Sequence, residues 1–202
     1  MNHVQVPTVR VERWVANFAD RHGETTLGVT EGALRGEASD GSWFLARLPF
    51  ASEYDGPPDA AAFAGAAQPP DQWGVLLVRK GGFAIARLAG PMLGESKVGQ
   101  RHVQGRTKAG GQSQQRFARR RDNQAREAYG AAADHAARIL AGLSGPVVTG
   151  GDHAAVTAVL EDPRLAGLSV VEPWIACPDP RRAVLDAAIG DAQAVRVEVM
   201  NA

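Results

Sequence analysis

The sequence predicts a mixed α/β fold: a sheet of hairpin-linked and crossover strands with helices packed on it. Three observations carry this. Apolar runs separated by glycine turns recur between Val75 and Gln104, as in consecutive antiparallel strands. A long stretch from about Gln114 to Leu140 then carries apolar residues at helical spacing. Beyond it, short β-type and α-type segments alternate.

The elements follow in order. Val11, Trp14, Val15 and Phe18 repeat at helical spacing, and His22-Gly23 marks the helix end. Strands are expected over Thr25–Thr30, Ala33–Glu37 and Ser42–Leu48, with Glu31-Gly32 and Asp40-Gly41 as hairpin turns. Residues 1–50 thus read as a small helix-plus-hairpins unit. Residues 51–72 are rich in Ala, Pro and Gly without periodicity and read as a linker or a long connecting loop. The third segment, 73–202, opens with strands at Val75–Arg79 and Phe83–Leu88, joined by the turn Lys80-Gly81-Gly82, and a more polar strand at Glu95–Gln104. Phe117, Ala125, Tyr129, Ala132, Ala136, Ile139 and Leu140 form the stripe of the long helix, and Gly142 its C-cap. Val147-Val148-Thr149 is a buried-type strand, and Asp152 caps a helix through Leu160. A strand at Ser169–Glu172, a helix over Arg181–Ile189 and a closing strand at Val195–Met200 complete the segment.

Composition narrows the functional classes. The chain has 202 residues, 45% of them hydrophobic, enough for a core without staples. Lys+Arg and Asp+Glu are both 22, so any attraction to nucleic acid must come from a local patch. Such a patch exists. Arg101, Arg106, Lys108, Arg116, Arg119, Arg120, Arg121 and Arg126 cluster around one acid, Asp122. The single cysteine, Cys177, excludes an intramolecular disulfide, and the five histidines show no metal-ligand spacing. No metal and no cofactor is expected. The N-terminus lacks a basic region followed by an apolar run, and no apolar stretch is long enough to span a bilayer. A cytoplasmic protein without a membrane partner is the expectation.

The basic patch contains Gly110-Gly111-Gln112. Glycines let the backbone take positive φ and approach a ligand closely. A main-chain amide beside them can be aimed at a developing oxyanion. A glutamine side chain carries an acceptor and two donors but does not ionise usefully. It can orient a water and is a poor general base. The segment therefore suits hydrolysis in which the barrier falls mainly by positioning. The helix start near Ser113 or Gln114 offers free amides to a phosphate. Taken alone, a Gly-Gly-Gln triplet is a weak signal.

Its surroundings strengthen it. Gly-Gly-Gln-Ser, two further residues, then Arg-Phe-Ala-Arg-x-Arg open a long helix after a three-strand hairpin run. This pattern, from about Gln72 to Gly190, resembles the central domain of the eukaryotic and archaeal class I peptide release factors. Within that superfamily the chain resembles the Vms-like release factors, in their bacterial, actinobacterial-type branch. The resemblance implies an RNase H-like α/β fold. It implies peptidyl-tRNA hydrolysis in the peptidyl transferase centre of the large ribosomal subunit, with Gln112 orienting water and Gly110 and Gly111 shaping the tip. Arg106, Lys108 and Ser113 would then face ribosomal RNA or the tRNA acceptor end. Arg116, Arg119 and Arg121 match the family's helix-start arginines, while Arg120 is chosen on charge alone. No codon-reading motif precedes Val75, so the implied role is codon-independent rescue of stalled peptidyl-tRNA, not stop-codon reading. Ala109 stands where the termination factors often have glycine.

Other readings compete. A non-catalytic ribosomal RNA or tRNA binder needs the arginines but not the glutamine. A two-metal nuclease needs clustered carboxylates, and the strands from Val75 to Gln104 hold one acid, Glu95. DNA is therefore not an expected partner. Trp14, Trp43, Trp73 and Trp174 read as core rather than as base-stacking platforms, and Cys177 as a structural thiol. Asp152-His153 reads as a helix cap rather than as an acid/base pair.

Overall fold

The computed structural model describes the backbone of residues 1–100 and 112–202, and the side chains of 1–100 and 126–202. The chain opens with strand β1 (Asn2–Val6), helix α1 (Val11–His22) and strands β2 (Thr25–Thr30), β3 (Ala33–Ala38) and β4 (Trp43–Arg47). Helix α2 (Ala60–Ala66) precedes strands β5 (Trp73–Arg79), β6 (Gly82–Ala89) and β7 (Met92–Gln100). The long helix α3 (Gln112–Ile139) follows. The remainder alternates: β8 (Pro146–Gly151), α4 (His153–Leu160), β9 (Ser169–Ile175), α5 (Arg182–Ala192) and β10 (Val195–Met200). The described residues thus form a mixed α/β protein with two five-stranded sheets, the class expected from the sequence.

Two compact units result. One comprises Met1–Pro69 with Ile189–Ala202, the other Pro70–Ala188. The first holds an antiparallel sheet in the order β1-β10-β4-β3-β2. Its inner face packs on α1, whose Val11, Val15 and Phe18 meet Leu34, Phe44, Ala46 and Val197. The β2–β3 hairpin closes through Glu31 and Gly32, with φ of 49° and 68°. Such a two-residue turn matches the right-handed twist of its strands.

Three features of this unit differ from the sequence expectation. Strand β1 was not expected, because among its residues only Val6 is buried and its apolar signal is slight. Residues 51–72 are more than a linker. Asp59 caps α2 by accepting from the Ala62 N–H at 2.8 Å, and Phe63 is fully buried with Tyr54 edge-on at 4.9 Å. One large apolar residue in a seven-residue alanine-rich helix leaves no periodicity to read. Finally, β10 lies between β1 and β4, so the closing strand of the expected third segment completes the N-terminal sheet.

The second unit holds a mixed sheet in the order β7-β6-β5-β8-β9. Strands β5, β6 and β7 are antiparallel neighbours, while β8 runs parallel to β5 and β9 parallel to β8. Both faces of β5 are buried, which explains its unbroken apolar run. Trp73 is fully buried and its indole N–H donates to the Gly90 carbonyl at 2.8 Å. Helices α3 and α4 cover one face around Leu76, Val78, Ile85 and Val147. Asp152 caps α4 as expected, accepting from the Ala154 and Ala155 N–H groups at 3.0 and 3.4 Å.

Helix α3 meets the sheet through Ala132, Ala136, Ile139 and Leu140, all buried. The small alanines let its backbone come close to the strands. Ala136→Leu should force it away and cost about 1–3 kcal/mol, read as a lower urea midpoint. An unchanged midpoint would show that α3 does not set this spacing.

A surface cluster ties α3 to the segment after α4. The Arg164 guanidinium donates to Asp162 at 2.7 and 2.9 Å and to Asp134 at 2.7 Å. Those side-chain bonds, then the Arg164 main-chain N–H, hold the Asp162 carboxyl at about 2, below its ordinary 3.8. A depressed folded-state pKa gives stability that is present above the ordinary value and lost as pH falls through about 2. Asp162 should therefore titrate near 2 by carboxyl NMR, and Arg164→Ala should raise it part of the way toward the ordinary carboxylate range, because the main-chain N–H at 164 still donates to it. An unmoved midpoint would refute the pairing.

Candidate active site and nucleic-acid interface

The sheet of the second unit gives the candidate site its direction. Arg79, Gly82 and Gln100 stand side by side through the register Arg79↔Gly82 and Gly82↔Gln100. This is the sheet end at which β5 and β7 finish. Helix α3 runs antiparallel to β5. Its last turn lies at the opposite end, where a Cβ on Gly74 would meet Leu140 at 2.8 Å. Further back, His135 tilts against Phe83 with ring centroids 5.4 Å apart. Tracing α3 toward its N-terminus therefore leads toward the end that holds Arg79 and Gln100. From Ala128 back to Gln112 the helix rises about 24 Å at 1.5 Å per residue.

The candidate residues divide into two sets. Arg106, Lys108, Gly110 and Gly111 lie outside the described residues. Gln112, Ser113, Arg116, Arg119, Arg120 and Arg121 all lie on the backbone of the first turns of α3. The helix begins at Gln112, not near Gln114 as expected. The glutamine is thus the first helical residue after the glycine pair. Gln112, Arg116, Arg119, Arg120 and Asn123 recur at three- and four-residue intervals, so one helical stripe carries their Cα positions.

Sequence reasoning missed two cations at this end. Arg79 and Lys80 are exposed at the tip of the β5–β6 hairpin, beside the end of β7. The Arg79 guanidinium donates to the Cys177 carbonyl at 3.0 Å, which fixes its position. The available signal was Lys80-Gly81-Gly82, read only as a turn. The start of β6 and the end of β7, far apart along the chain, become neighbours once the two strands pair antiparallel.

The competing chemistries fare poorly among the described residues. Glu95 is held in an ion pair with Arg138, and no cluster of three metal-ligating side chains occurs. Cys177 is buried, and burial pushes its thiol above the ordinary range despite Arg79 nearby. It is a protonated core thiol, not a nucleophile. His153 stacks on Trp174 at 3.6 Å, and Trp174 packs against the core. No described helix is long and apolar enough to cross a membrane.

Comparison with known families places the chain among the release factors of translation. The model described as Actinobacteria/chloroflexi VLRF1 release factor matches residues 71–198, more than half of the chain, and the chain belongs to that family. No curated protein matches it. The match begins beside Pro70, where the second unit begins, and extends into β10.

Proposed function

We propose that the protein is a codon-independent peptidyl-tRNA hydrolase that frees nascent chains from stalled ribosomes or large subunits. The observation that carries the proposal is the position of Gln112. It heads a 28-residue helix, directly after Gly110-Gly111, in a chain of a release-factor family. The C-terminal half of that helix is anchored on the sheet, which gives its other end a rigid support. The 3-2-1-4-5 strand order of the second unit, with only its second strand antiparallel to the rest, supports an RNase H-like assignment.

The reaction follows from these groups. Water attacks the ester carbonyl carbon that joins the peptide to the ribose. The tetrahedral oxyanion then collapses, and the ribose oxygen leaves, taking up the proton that the attacking water gives up. Gln112 orients the water by accepting from it, and its main-chain amide faces the developing charge. A helix start leaves main-chain N–H groups without intrahelical acceptors, which makes that orientation available to an anion. Gly110 and Gly111 allow the close approach. Arg106, Lys108, Ser113, Arg116, Arg119, Arg120 and Arg121 hold the segment on ribosomal RNA and the tRNA acceptor end, and Lys80 extends the same basic surface. No metal or cofactor enters.

The test is release of labelled peptide from peptidyl-tRNA on isolated large subunits and on intact ribosomes. Release above the uncatalysed rate on either substrate is expected, and its absence on both would end the proposal. Arg119→Glu should weaken ribosome binding and lower the magnitude of the log–log salt slope by about one. A slope equal to wild type would remove Arg119 from the interface. A purely RNA-binding role predicts the same salt effect with no release at all.

A further inference from the structure

A cavity of about 290 Å³ lies between the C-terminal half of α1 and the β1–β10 strand pair. It belongs to the N-terminal unit alone, and its lining falls outside residues 71–198. Half-buried Trp14 forms its aromatic wall, backed by the buried Phe18 at 5.9 Å and 19° and steadied edge-on by Phe44, while His22 covers Phe18 at 4.6 Å. Three amides reach it from three places: Asn17 on α1, Asn2 on β1 and Asn201 just after β10. Arg21 stands on the same face of α1, one turn beyond Asn17. The side chains of Asn2, Asn17, Arg21 and Asn201 make no hydrogen bond or ion pair with any described residue. The next α1 residue, His22, is instead held by Asp40 at 2.9 Å.

We propose that this cavity binds one unpaired nucleotide of RNA, its base against Trp14 and its phosphate beside Arg21. Each part of the lining argues for that chemistry. An aromatic wall favours a flat ring, because stacking rewards π-faces. Side-chain amides offer donors and acceptors together, which matches the mixed edge of a base. A peptide phenyl ring has no such edge. No carboxylate lines the cavity, and its charged side chain is a guanidinium, so an anionic ligand is favoured over a cationic one. Paired bases could not enter, so the ligand is single-stranded. The choice of RNA rests on the release-factor reading; the site itself does not require Gln112.

The experiment follows the Trp14 indole N–H in ¹H–¹⁵N spectra of the full chain, assigned with Trp14→Phe, while RNA trinucleotides of each base are added. A saturable shift of the Trp14 indole and the Asn17 side-chain amide is expected. Asn17→Ala and Arg21→Ala, both at exposed positions of α1, should each weaken binding roughly three- to tenfold. Gln112→Ala should leave the shifts unchanged, so failure of this site and failure of peptide release are read separately. A stationary Trp14 signal would overturn the proposal. So would affinities untouched by Asn17→Ala and Arg21→Ala, or equal shifts from a neutral tripeptide with an aromatic side chain.

Discussion

Gln112→Ala should lower the rate of peptide release by about 10²- to 10³-fold, the loss typical of removing one group aimed at a reacting centre. Ribosome affinity should stay within about twofold, because a neutral amide contributes little beside several phosphate-binding cations. The contrast follows from the division of labour on α3. In the proposed mechanism its arginines act through charge at many phosphates, and its first residue acts through geometry at one bond. Alanine keeps the helix, having the highest helix propensity, so a loss of activity would not reflect loss of the element. Single-turnover release from saturated complexes isolates the chemical step. Equal release by variant and wild type would remove Gln112 from the mechanism and leave a binding protein.

Phe44→Ala should destabilise the N-terminal unit by about 3–5 kcal/mol, the range for deleting a buried aromatic ring. Phe44 is fully buried on the inner face of β4 and meets Trp14 and Phe18 edge-on at 5.2 and 5.0 Å. Its ring lies over Gly36 on the neighbouring strand, where an added Cβ would collide with it. Gly36→Ala alone should therefore cost about 1–3 kcal/mol through overpacking. In the double variant the new methyl enters the space the ring has left. The two losses should then fall short of their sum by more than about 1 kcal/mol. Urea unfolding of the four proteins measures this. Simple additivity would show that ring and glycine are not in contact. Because Phe44 also steadies Trp14 edge-on, Phe44→Ala should loosen the proposed nucleotide cavity as well.

Several elements were legible without coordinates because their signals are local. The α1 stripe of Val11, Val15 and Phe18, the Glu31-Gly32 turn and the Asp152 cap each depend on residues within one or two turns of chain. Strand β5 was legible because burial on both faces leaves a continuous apolar run. Helix α2 was not, since its stability comes from Phe63 reaching the core of the unit rather than from a periodic face. Strand β1 was not, because four of its five residues are exposed and pairing with β10 supplies its order. For the candidate site, the Gly-Gly-Gln triplet and the arginines that follow it were readable as residue types. The Arg79-Lys80 tip was not, because only strand pairing brings it beside the end of β7.

By itself the sequence determined the class of fold, the long helix and the residue types at its head, since periodicity, turns and a run of cations are written in consecutive residues. The tertiary structure alone decided where β10 goes. Its alternation permits pairing with either sheet, and the complementary inner faces of β1 and β4 bury Val195 and Val197 in the N-terminal unit. It also decided which end of the second sheet faces the head of α3. Strand direction and helix packing are long-range choices, set by which apolar surfaces can be buried together and not by any neighbouring residue.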